Sequence, residues 1–124
     1  MSAGGTTSAV LSLDLPAGDG APARAREAIR GLHALDWILG DAMLIASELV
    51  TMALSHADPS ASHPIRLRLD ARPDGLVVGV SWQGARLGPN AFDETALALV
   101  RALADSWRMG EREISAELAR PAAP

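Results

Sequence analysis

Residues 47–57 read SELVTMALSHA, and they form the second half of a longer helical pattern. The pattern starts near Asp41 and runs to Ala57 after a break over Trp37 to Gly40. Its apolar residues cover most of the circumference, which predicts a buried helix rather than a surface one. Met43, Ala46, Leu49, Val50, Ala53, Leu54 and Ala57 are the expected core stripe. Asp41, Glu48, Met52 and Ser55 recur at spacings of three, four and seven and fall along another face.

Downstream, DPSASHP from Asp58 to Pro64 reads as a loop. Ile65, Leu67, Leu69 and Ala71 then alternate with Arg66, Arg68, Asp70 and Arg72, the two-residue period of a strand with one wetted face. Pro73, Asp74 and Gly75 make a turn, and Leu76 to Trp82 return antiparallel as a hairpin. Asn90 is positioned to cap a third helix through Ala104, with Ala96, Leu97, Val100 and Leu103 inward. Two short strands, Ser106–Met109 and Arg112–Leu118, meet near Gly110. Upstream, residues 8–15 read as a first strand in which the apolar Val10 and Leu13 alternate only imperfectly. A first helix then begins near Pro22, with Ala25, Ala28, Ile29, Leu32 and Leu35 inward. Gly31 inside that helix costs about 1 kcal/mol.

The resulting order is β-α-α-β-β-α-β-β. It predicts an α+β fold, a two-layer α/β sandwich with three helices on one face of a mixed, mostly antiparallel sheet. Residues 8–118 make a single domain, residues 1–7 a disordered N-terminus and residues 119–124 a mobile tail.

Composition narrows the chemistry. The 124 residues carry a net charge of −4, and all eleven basic residues are arginines spread along the chain. Nucleic-acid binding, which needs clustered cations, is not expected. Without cysteine there is no disulfide, thiol catalysis or cysteine-type zinc site. His33, His56 and His63 are scattered, with no partners at ligand spacing, so no metal site is expected. No apolar run spans a bilayer and no secretory signal is visible at the N-terminus, which points to a cytoplasmic protein.

SELVTMALSHA, with the later ALALVRALADSW and the element order, resembles the GHKL superfamily of histidine-kinase-type ATPases. Within it the chain is similar to the small bacterial anti-sigma-factor serine kinases, and the resemblance covers residues 8–118. In that family a glutamate on this helix polarises the attacking hydroxyl, and an asparagine one turn later holds Mg²⁺ on the phosphates of ATP. An aspartate after the hairpin reads adenine, and glycines near the third helix admit phosphate. By this resemblance Glu48 is the glutamate and Met52 stands in the asparagine's place, where a soft thioether is a poor ligand for a hard cation. Trp82 falls at the aspartate position and has no carboxylate to accept from adenine. Ser81, one step back, could accept weakly. Glu94 to Leu97 replace the glycine phrase, so Glu94 brings an anion near the phosphates and Ala96 removes flexibility.

The resemblance implies a degenerate pocket of Glu48, Met52, Ser81, Trp82, Glu94 and Ala96, with no cofactor and no metal. The expected function is that of a non-catalytic domain that binds a regulatory protein, such as a sigma factor or its antagonist. The alternative is a serine/threonine kinase that still binds ATP and Mg²⁺, and a third reading is a module for an apolar ligand. Read without the family, Glu48 is a solvated carboxylate at a helix edge, and Met52, Trp82 and Trp107 are packing residues. Arg66, Arg68 and Arg72 read as a solvated strand face balanced by Glu113 and Glu117, a face that could also dock an acidic partner. Val77 and Gly79 on the hairpin's outer side permit a homodimer contact.

Overall fold

A computed structural model describes residues 9–32, 35–56, 64–84 and 94–121, leaving out the side chains of residues 9 and 94–96. The elements are β1 (Ala9–Leu15), α1 (Ala21–Arg30), α2 (Leu39–His56), β2 (Ile65–Arg72), β3 (Gly75–Ser81), α3 (Glu94–Leu103), β4 (Ser106–Met109) and β5 (Glu113–Ala119). The protein is α+β, with three helices and one open five-stranded sheet in the order β1-β2-β3-β5-β4. Every strand pair is antiparallel, so the expected mixed sheet is corrected to an antiparallel one.

Register follows from the side-chain alternation. Leu15 pairs with Ile65, Leu67 with Val80, and Val80 with Ile114, which places the apolar sets of four strands on a single inner face. Ile65, Leu67, Leu69, Leu76, Val78, Val80, Ile114 and Leu118 are all at most 2% exposed there. A one-residue slip anywhere in this ladder would turn those side chains to water, so burial itself holds the register. In β1 the inward residues are Leu11, Leu13 and Leu15, while Val10 is 54% exposed. The expected Val10–Leu13 alternation is wrong for Val10, which belongs to the outer set.

The long helix α2 packs on β2, β3 and β5, flanked by α1 and α3. Its core side is Ala42, Ile45, Ala46, Leu49, Val50, Met52 and Ala53. This rotates the predicted stripe: Ile45 and Met52 are inside, whereas Met43 and Leu54 sit at its margin. Along the solvent side the hydroxyls of Ser47, Thr51 and Ser55 donate to the carbonyls of Leu44, Ser47 and Thr51, so these polar groups are satisfied within the helix.

Helix α1 ends at Arg30 with Gly31 as its C-cap. Gly31 therefore terminates the helix and does not weaken its interior, contrary to the sequence expectation. The chain then turns through bonds from Leu35 N–H to Leu32 O and from Ile38 N–H to Leu35 O. At the other end, Ala119 belongs to β5. The Arg120 N–H donates to Asp74 O at 2.8 Å and its guanidinium lies 5.4 Å from the Trp37 ring centroid. Strand β5 thus runs one residue past the predicted domain boundary at 118. The predicted termini 1–7 and the Asn90 cap lie outside the described residues.

Candidate functional site

The residues singled out in the sequence separate onto two sides of the sheet. Met52 and Trp82 are each 4% exposed and belong to the core. Helix α2, which carries Met52, lies over β3, which Trp82 directly follows. The Trp82 indole stacks on the His56 imidazole with centroids 6.1 Å apart, and its backbone N–H is held by Arg112 O at 3.1 Å. Glu48, one helical turn before Met52, is half-buried. It stands at the border between the core stripe and the solvent side of α2.

Ser81 does not join this group. Strand alternation sends Val80 and Trp82 inward and Ser81 outward, where it pairs in register with Arg66 and Glu113. The expected pocket containing both Ser81 and Met52 is therefore divided by the sheet. Glu94 opens α3, and the Glu94 and Ala96 side chains lie outside the described residues. Among the described residues no group of three or more His, Asp or Glu side chains could hold a metal ion.

The outer face holds an opening of about 480 Å³. Its floor is made of small side chains, Gly79, Ser81 and Ser115, while Arg66, Arg68, Arg108 and Glu113 rise around it. Two cross-strand rows build it. One runs Arg66, Ser81, Glu113, and the next runs Ser12, Arg68, Gly79, Ser115, Arg108. Three small residues in the middle of the sheet with long ones at its flanks leave a trough between them.

Four arginines, Arg66, Arg68, Arg72 and Arg108, share this face with four carboxylates, Asp14, Asp70, Glu113 and Glu117, and they are unevenly paired. Arg66 Nε donates to Asp14 Oδ1 at 3.0 Å, and that bond together with the carboxylate's charge raises the Arg66 pKa above its ordinary value. Arg72 is held likewise by Asp70 at 2.7 Å, with the same direction of shift. Both guanidiniums are solvent-exposed and stay cationic at any working pH. Ser106 Oγ donates to the Glu117 carboxylate at 3.2 Å. Arg68 and Arg108 make no ion pair among the described residues. The sequence flagged Arg66, Arg68 and Arg72 as one strand's wetted face. It missed Arg108, because only the β4–β5 register brings that residue into the row of Arg68.

The chain matches no protein-family model, and no curated protein matches it. No helix among the described residues is long and apolar enough to cross a membrane.

Proposed function

We propose that this protein is a GHKL-like domain that has given up nucleotide chemistry and acts by binding a regulatory protein, in the manner of an anti-sigma factor. One observation carries the reading: Met52, at the position the family gives to its metal-binding asparagine, is 4% exposed among core side chains. Mg²⁺ needs hard oxygen ligands in near-octahedral array and water beside them. A thioether packed in hydrocarbon supplies neither, and without the cation the charge developed in phosphoryl transfer has no counterweight. Trp82 supports the same conclusion, since its indole is also packed in the core and offers a donor where the adenine amino group requires an acceptor.

Isothermal titration with Mg²⁺ and ATP tests the proposal. The expected result is no saturable heat; micromolar affinity together with transfer of labelled phosphate dependent on Glu48 would establish the kinase alternative instead.

A further inference from the structure

We infer that the outer-face trough is a docking site for an extended acidic segment of a partner protein, clamped between Arg68 and Arg108. The inference rests on the reading of the chain as a protein-binding domain and names the surface and the partner's chemistry. Three observations carry it.

Charge is the first. The protein as a whole is acidic, at −4, yet three arginines rim this one cavity against a single carboxylate, Glu113. Arg66 is already engaged by Asp14, whereas Arg68 and Arg108 have no ion-pair partner among the described residues. Glu113 is drawn toward the β4–β5 turn, where its Cγ lies 2.8 Å from the position a Cβ on Gly110 would take. It borders the trough at one end and does not neutralise the pair.

Spacing is the second. Arg68 on β2 and Arg108 on β4 are separated by β3 and β5 in one row, three interstrand steps or about 14 Å between Cα atoms. An extended peptide lying along that row advances about 3.3 Å per residue and shows alternate side chains to one face, so residues four apart are about 13 Å apart on that face. Two carboxylates at positions i and i+4 therefore match the two guanidiniums. Each can accept paired guanidinium hydrogen bonds, the arrangement that makes arginine selective for carboxylate.

The third is Gly79, midway along the row. Glycine in a strand interior weakens the strand, and it often marks a close approach by another backbone. Nothing inside the fold demands it here: a Cβ at Gly79 would meet only Ser115 Cβ at an ordinary 3.7 Å. Its absent side chain keeps the floor low enough for peptide backbone to lie across β3. A lone small anion gains little in so shallow and wet a site, because exposed charge pairs are screened. A segment engaging both arginines at once gains from linkage.

The test uses the full chain and a fluorescent peptide carrying two glutamates four positions apart, followed by anisotropy at low salt. Its glutamine counterpart and inorganic phosphate serve as competitors. Expected are saturable binding that weakens with salt, at least a tenfold loss in the Arg68→Ala/Arg108→Ala double variant, and no change in Arg24→Ala on α1. Gly79→Val should weaken binding without lowering the unfolding midpoint, and Glu113→Gln should strengthen it. No binding up to millimolar peptide, equal affinity for the glutamine peptide, or an unaffected double variant would overturn the inference. So would competition by phosphate at the peptide's own concentration, which would indicate a small-anion site. Dimerisation abolished by the double variant would assign the face to a second copy and also overturn it. Binding of Mg²⁺ and ATP along α2 would instead remove the functional reading beneath it, a result independent of the peptide's behaviour.

Discussion

The Trp82 indole and the His56 imidazole stack with their planes 27° apart, tying the last turn of α2 to the end of β3. Trp82 thereby acts as a strut between the two layers at the C-terminal end of α2. Removing it opens a large cavity that a sheet and a helix cannot both collapse into. Trp82→Ala is expected to cost about 3–5 kcal/mol. Urea unfolding followed by far-UV circular dichroism measures the loss, and a loss below about 1 kcal/mol would mean the indole is not a packing element.

Met52 provides a sharper contrast between packing and site chemistry. Met52→Leu nearly conserves volume and should cost about 1 kcal/mol or less. Met52→Asn places an amide among apolar neighbours and is expected to cost at least about 2 kcal/mol. If the asparagine variant were as stable as the wild type and bound Mg²⁺ with ATP, the position would be a ligand site that merely lacks its ligand residue.

Two glycines of β3 should respond in opposite senses. At Gly75 a new Cβ would lie 2.6 Å from the Leu118 carbonyl oxygen, a backbone atom of the paired strand that cannot swing aside. Gly75→Ala should destabilise by about 1–3 kcal/mol, the usual range for overpacking. Gly79→Ala meets only ordinary contact and should be neutral or stabilising by about 0.5–1 kcal/mol, since alanine has less backbone freedom to lose on folding. Thermal unfolding of the two variants side by side checks both signs.

The Asp14–Arg66 bond holds one trough arginine out of play. Both side chains are more than half exposed, so Asp14→Ala should leave the unfolding midpoint essentially unchanged. It should nevertheless tighten binding of the acidic peptide severalfold at low salt, because Arg66 is then released. The difference should vanish near 1 M salt, where screening acts within about 3 Å. Equal binding by the two proteins at low salt would place Arg66 outside the recognition surface.

The hairpin was legible because Ile65 to Ala71 alternate strictly, and period two is the direct signature of a half-buried strand. Helix α2 was legible as a helix but not in its rotation. With apolar residues nearly all round, the sequence could not say that Ile45 and Met52 face the core while Leu44 faces water at 48% exposure. Gly31 was misread because nothing in a single sequence separates an interior glycine from a terminating one. The trough was visible only in part. Two of its three arginines, Arg66 and Arg68, lie on one strand, but Arg108 comes from 40 residues further along than Arg68 and joins them through β5. Ser81 was assigned to the wrong side of the sheet because a step of one residue along a strand reverses the face.

The proposal that hydrocarbon fills the place a GHKL-like domain gives to its nucleotide beside α2 is tested most directly by a residue-resolved amide spectrum of the protein titrated with Mg²⁺ and ATP. The account predicts no saturable shifts from Glu48 through His56 or at Trp82, with any weak triphosphate effects confined to outer-face residues near Arg68 and Arg108. Saturable shifts along α2 that require Mg²⁺ would contradict it.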